Sequence, residues 1–234
     1  APISDSDDDA LVPPEVAGWF ASRGWRPHAH QVAMVEAARD GRHALLVAPT
    51  GGGKTLAGFL PSLIDLSRRP RPGMHTLYIS PLKALAVVIA RNLEAPIAEM
   101  RLPIRAETRT GDTPQPKRER QRRYPPQMLM TTPESLALLL SYPESGHMFG
   151  GLRAVVIDEL HALAGTKRGD LLALGLARLQ GIAPGLRRVG LSATVAHPDA
   201  LAAWLSPEAR ADDRSVARIV GRQGARPVID ILET

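Results

Sequence analysis

The chain has 234 residues and no cysteine, which excludes disulfides and thiol-ligated zinc. No apolar run approaches the roughly 18 residues that mark a membrane span, so no membrane partner is expected. The first ten residues, APISDSDDDA, are acidic and lack the basic-then-apolar order of a secretory signal. A cytoplasmic protein with a disordered acidic tail over 1–12 is the expectation. There is no internal repeat. The densest basic run, Lys117 to Arg123 (KRERQRR), contains no aromatic on which a base could stack. Its plain reading is a solvated helix face. What remains is ordinary: 44% hydrophobic and 23% charged residues, enough for one large α/β domain or two small ones. A net charge of +5 is compatible with a nucleic-acid partner without requiring one.

Against that background one stretch stands out, Ala44 to Thr55 (ALLVAPTGGGKT). An apolar run, Ala44 to Ala48, reads as a buried strand. Gly51, Gly52 and Gly53 turn the backbone, and Lys54-Thr55 opens a helix. That order cradles a nucleotide's phosphates, because loop N–H groups and a helix N-terminus both favour an anion. Lys54 can reach the β/γ oxygens, and the Thr55 hydroxyl can ligate Mg²⁺. ATP and Mg²⁺ are therefore the expected cofactors.

Strands and helices alternate along the rest of the chain. Helices are expected from Pro13-Pro14 to Phe20 and from His28 to Arg39. Gln31, near the start of the second, can read an adenine edge or simply sit on a solvated face. Strands are expected at Met74 to Ser80, Ile104 to Arg109, Gln127 to Met130, Leu152 to Ile157 and Arg187 to Leu191. Helices are expected at Ala84 to Met100, Ser135 to Ser141, Gly169 to Ile182 and Pro198 to Leu205. Most strands end in polar residues. This predicts an α/β fold with a mainly parallel sheet, helices on both faces and the site along the strand C-terminal edge. The fold is expected to fill 13–215, and 216–234 to be a linker, although Ser215 to Leu232 reads as β or linker.

An acidic partner for the metal follows the strand Leu152 to Ile157. Asp158 can hold Mg²⁺ through water, and Glu159 can take a proton from an attacking water. His161 and Ser192-Ala193-Thr194 lie at neighbouring strand ends, where they can hydrogen-bond and sense the γ-phosphate. Thr131-Thr132-Pro133-Glu134 either caps the next helix or offers hydroxyls to a phosphate.

In order, APTGGGKT, DELH and SAT resemble motifs I, II and III of the superfamily-two DExH-box helicases. PLKALAV, RTGDTP, TTPESLALLL and GTKRGD are similar to the large helicase-related (Lhr) family, in particular its ligase-associated DEXH-box branch. The resemblance implies a P-loop, RecA-like domain with Pro49 and Thr50 joining Gly51 to Thr55 around the nucleotide. It implies nucleic-acid contacts through Pro81, Lys83, Arg109, Gly111, Thr131, Thr132, Pro133 and Glu134. It also implies a second RecA-like domain that supplies an arginine finger and is absent from these residues. The activity implied is ATP-dependent 3′ to 5′ translocation on single-stranded or partly duplex DNA, in repair, with ligase and nuclease neighbours. Three other readings stay open: an ATPase remodelling a partner that is not nucleic acid, an RNA rather than a DNA helicase, and a binding module with a vestigial site.

Overall fold

The computed structural model describes residues 11–49, 51–193, 195–206 and 215–221. Its strands are β1 (His43–Val47), β2 (Thr76–Ile79), β3 (Ala106–Arg109), β4 (Met128–Thr131), β5 (Ala154–Ile157), β6 (Arg187–Ser192) and β7 (Val216–Val220). They form one sheet in the order β3-β4-β2-β5-β6-β1-β7. Every pair is parallel. Parallel neighbours need crossovers, and helices supply them. α1 (Pro14–Ser22) and α2 (Ala29–Arg39) precede β1, and the crossovers are α3 (Lys54–Arg68), α4 (Lys83–Glu99), α5 (Gln115–Arg123), α6 (Pro133–Ser141), α7 (Ser145–Phe149), α8 (Leu160–Leu163), α9 (Lys167–Ile182) and α10 (Pro198–Leu205).

Side chains alternate across each strand, so the sheet has two cores. Ala44, Leu46, Tyr78, Met130, Val156 and Leu191 face α1 to α4. Leu45, Val47, Leu77, Ile79, Val155 and Ile157 face α6 to α10. Burial on both sides explains why these strands read as unbroken apolar runs. Each fully buried aliphatic side chain contributes about 1.5–3 kcal/mol. α3 lies close on the sheet because Gly58 has no side chain. A Cβ there would meet Leu191 Cδ1 at 2.9 Å and Val156 Cγ1 at 3.0 Å.

Two expected boundaries move. β7 pairs with β1 along its length, so the sheet extends past 215 into residues assigned to a linker. Val216, Ala217 and Ile219 are buried there, which an unpaired linker could not achieve. At the other end, Leu11 and Val12 pack against the first core rather than belonging to the tail. Residues 1–10 and 222–234 lie outside the described residues. The short helices α7 and α8 were not foreseen, since a single turn carries too little periodicity to be seen.

Candidate functional site

Parallel strands bring all their C-terminal ends to one edge. The sheet order makes β5, β6 and β1 neighbours there, and β2, β4 and β3 the other half. The edge therefore divides into a nucleotide half and a second half built from different loops.

The loop after β1 turns through Gly51 at φ 81° and Gly53 at φ 73°, the left-handed region that glycine tolerates. Gly52 has no such φ, but a Cβ on it would lie 3.1 Å from the Pro49 carbonyl oxygen. Gly53 caps α3 without a side chain, so the first turn's N–H groups stay open to an anion. Lys54 begins that helix. Its side chain is only 8% exposed, and its Nζ has no hydrogen-bond partner. Nζ stands 4.0 Å from Glu159 Oε1. Thr55 is half-buried beside it. Thr50 lies outside the described residues.

At the end of β5, Asp158 is buried, and its Oδ1 accepts from the Glu159 N–H at 2.9 Å. Burial pushes the Asp158 carboxyl above the usual range; the Tyr78 hydroxyl and the Lys54 charge oppose this. Tyr78 is a residue that sequence reasoning missed. Its side chain fills the core of β2, stacked on Phe59 at 4.6 Å, and nothing in the run TLYI separates it from packing. Its hydroxyl approaches Asp158 and Thr55 but falls short of strict hydrogen-bond geometry with either. Burial, then the Asp158 charge, raise its pKa well above the usual value.

Glu159 adopts φ 45° and ψ 45°, a conformation that costs a non-glycine residue about 1–2 kcal/mol. It turns the carboxylate between two nitrogens: Lys54 Nζ on one side and His161 Nε2, 3.4 Å from Oε2, on the other. His161 Nδ1 lies 3.0 Å from Ser192 Oγ, as its position at the neighbouring strand end predicted. Lys54, Glu159, His161 and Ser192 thus run from β1 to β5 to β6. Thr194, expected in the same group, lies outside the described residues.

The site fits a phosphate and a hard divalent cation. A buried ammonium without a hydrogen bond and the N–H groups of a helix N-terminus both favour negative oxygens. A desolvated carboxylate and a hydroxyl are the oxygen donors Mg²⁺ takes alongside phosphate and water.

Gln31 is placed differently from the reading that gave it an adenine edge. It is buried, its Oε1 accepts from the His28 N–H at 2.8 Å, and its Nε2 donates to the Gly53 carbonyl at 3.5 Å. Both ends of the amide are engaged, so it braces the loop against α2. An aromatic cavity of about 420 Å³ opens beside the loop instead. Trp19, Arg23, Trp25 and Phe59 line it together with Gly53 and Thr55. Trp25 is 51% exposed, and the Arg23 guanidinium lies over its ring at 5.1 Å. Only the scarcity of tryptophan, three in the chain, could have drawn attention to it.

In the second half of the edge, some of the residues expected to meet nucleic acid are exposed and others are buried. Lys83 Nζ lies 3.3 Å from Asp112 and over Gly111, so the loops after β2 and β3 meet. Lys83, Gly111 and Glu134 are exposed and Pro81 is half-buried. Arg109 is not available: its side chain is 2% exposed and donates to Gln121 Oε1 at 3.4 Å. Thr131, Thr132 and Pro133 are buried as well. Thr131 Oγ1 donates to the Arg109 carbonyl, and Thr132 Oγ1 accepts from the Ser135 N–H as the cap of α6. Glu134 is paired with Arg168 at 2.5 Å. The basic run in α5 braces the same region: Arg118 donates to the Thr113 carbonyl, and Arg120 pairs with Glu107.

A glycine loop between strand and helix, with an acidic pair ending a strand two places away, defines a P-loop domain of the RecA-like type. Residues 28–201 match the DEAD/DEAH box helicase family, and the chain belongs to it. It is 43% identical over 205 residues to the "Lhr helicase/ probable uracil glycosylase" of Mycolicibacterium smegmatis, covering 82% of this chain and 14% of that protein. It is 41% identical over 204 residues to the "ATP-dependent helicase Lhr-Core" of Methanothermobacter thermautotrophicus, covering 81% and 23%. The solved structure of Mycobacterium smegmatis helicase Lhr bound to ssDNA and AMP-PNP superposes with a TM-score of 0.83 at 36% identity, over 92% of this chain and 28% of that one. The chain thus spans less than a quarter of the length of these two relatives. No described helix is long and apolar enough to cross a membrane.

Proposed function

We propose that this chain is the first, ATP-binding motor domain of a helicase that couples ATP hydrolysis to 3′ to 5′ movement on single-stranded DNA in repair. The observation that carries the reading is the line Lys54, Glu159, His161, Ser192 across three strand ends, with a buried ammonium that makes no hydrogen bond. Lys54 and the α3 N-terminus take the β/γ-phosphates, while Thr55 and Asp158 hold Mg²⁺, which supplies charge neutralisation at the γ-phosphate when bound. Glu159, set between Lys54 and His161, accepts the proton of the attacking water. His161 and Ser192, with Thr194, report the state of the γ-phosphate to the neighbouring loop. The base packs in the aromatic cavity on Trp25, with Gln31 fixing the loop beneath it.

Lys83, Gly111 and the α6 N-terminus meet the nucleic-acid backbone on the other half of the edge. The relative whose structure holds ssDNA and AMP-PNP supports this pairing of ligands. A second RecA-like domain supplies the opposing arginine, a contribution worth about 10³ to 10⁵ in rate where measured. Ligase and nuclease neighbours fit a repair role.

The test is turnover. The 234-residue chain should hydrolyse ATP at background, whatever DNA is added. A longer chain carrying the second domain should show DNA-dependent turnover, and Glu159→Gln should abolish it while ATP still binds. Stimulation by a protein partner and not by DNA would favour a remodelling ATPase. Brisk hydrolysis by this chain alone would mean that its site is complete.

A further inference from the structure

β2 and β5 are neighbours in parallel register, with Tyr78 opposite Val156. Both side chains lie in the first core, the one that α3 covers. Asp158 continues the ladder just past β5, its N–H donating to the Ile79 carbonyl at 2.8 Å. It stands two residues after Val156 and so falls on the same side of the sheet. On α3, Thr55 and Phe59 are four residues apart and share one helix face. The Tyr78 ring lies on Phe59, with centroids 4.6 Å apart and an interplanar angle of 17°. The stack fixes the ring between helix and sheet, and its hydroxyl ends where Thr55 and Asp158 come together.

Core packing alone does not call for a hydroxyl there. Tyr78 is wholly buried, and its oxygen makes no hydrogen bond of good geometry. Phenylalanine would fill the same space without leaving a buried hydroxyl short of a partner. The chemistry of the neighbours sets the direction of the contacts. An ionised carboxylate only accepts, so toward Asp158 the phenol donates its single proton. Asp158 Oδ1 already accepts from the Glu159 N–H at 2.9 Å. The phenolic oxygen is then left to accept from the Thr55 hydroxyl, which keeps the Thr55 lone pairs for a cation. The reverse direction would spend one of those lone pairs on the phenol.

We propose that Tyr78 is a positioning residue for the metal, its hydroxyl accepting from Thr55 and donating to Asp158 so that both present oxygen to one Mg²⁺. The role rests on the nucleotide-site reading above. Tyr78 acts through Thr55 and Asp158 and is not itself a ligand.

The test is a Mg²⁺ titration of ADP binding by the 234-residue chain, followed by calorimetry. Tyr78→Phe keeps the ring and its stack on Phe59, so the melting temperature without ligand should be unchanged or higher. ADP affinity in EDTA should also be unchanged, because the phosphate loop is intact. The Mg²⁺ concentration that half-completes the gain in ADP affinity should rise about 10-fold, at the lower end of what outer partners of metal ligands contribute. Asp158→Asn should raise it too. Adding Tyr78→Phe to Asp158→Asn should then raise it by much less than in the parent chain, because the hydroxyl acts through that carboxylate.

A residue that only fills the core would leave the Mg²⁺ midpoint where it was. Equal midpoints in the chain and in Tyr78→Phe, or shifts that add fully in the double variant, overturn the proposal while the site reading stands. An ADP affinity that ignores Mg²⁺ in the unaltered chain overturns both.

Discussion

Lys54 and Glu159 face each other at 4.0 Å, yet the Lys54 ammonium is buried and makes no hydrogen bond. An ammonium left this way is poorly solvated, and a phosphate oxygen would supply the missing partner. Lys54→Met should therefore leave the melting temperature of the ligand-free chain unchanged or higher. The stabilisation normally given by Mg-ADP should vanish in the same variant. Thermal unfolding with and without nucleotide checks both halves. Equal ligand-induced shifts in the two proteins would remove Lys54 from the phosphate site.

The left-handed backbone at Glu159 stores strain that a glycine would release. Glu159→Gly should raise stability by up to about 1 kcal/mol, the left-handed penalty less the entropy cost of glycine. Glu159→Gln keeps the strain and should show no such gain. Both should lack DNA-dependent hydrolysis in a chain that carries the second domain. Chemical denaturation separates the two variants, and a destabilised Glu159→Gly would show that the side chain's ion pairs outweigh the strain.

Lys83 and Arg109 should part company under mutation. Lys83→Ala removes an exposed cation, so affinity for single-stranded DNA should fall and the salt slope should lessen by about 1. Arg109→Met deletes a buried guanidinium bonded to Gln121 and should cost roughly 1–3 kcal/mol in stability, with the salt slope unchanged. Binding titrations at several salt concentrations, beside denaturation curves, read both effects.

Acid should destabilise the fold through His75 and Asp65. Burial is the main cause that lowers the His75 pKa, and the Asp65 hydrogen bond opposes it only partly. As pH falls below about 6.5, the unfolded chain binds a proton that the folded chain resists, so stability drops. The His75 hydrogen bond is the first cause that lowers the Asp65 pKa, so a further loss follows below about 3.8. Asp65 is nearly half exposed, which screens its share. His75→Gln should flatten the decline between about pH 7 and pH 5, as read by urea midpoints.

The local order of strand, glycine turn, Lys-Thr and helix was legible in Ala44 to Thr55, because phosphate binding there uses consecutive residues. The parallel sheet and its helices were legible for a similar reason. Apolar runs such as LRAVVI, separated by helical stretches, leave few other ways to bury both strand faces. DELH followed from lying at the end of such a run.

What only the tertiary structure decided depends on groups far apart in the chain. Arg109 carries the same charge as Lys83, and nothing local says that one is buried against Gln121 and the other exposed over Gly111. Gln31 is an ordinary helix glutamine until the fold sets Gly53 against its amide, 22 residues on. Val216 to Val220 could be strand or linker, and the choice rested on a free edge of β1 far upstream. Sequence determines what each segment can form, through periodicity and backbone preference. The partner that satisfies a polar group, and hence whether that group is brace or ligand site, is set by strand order alone.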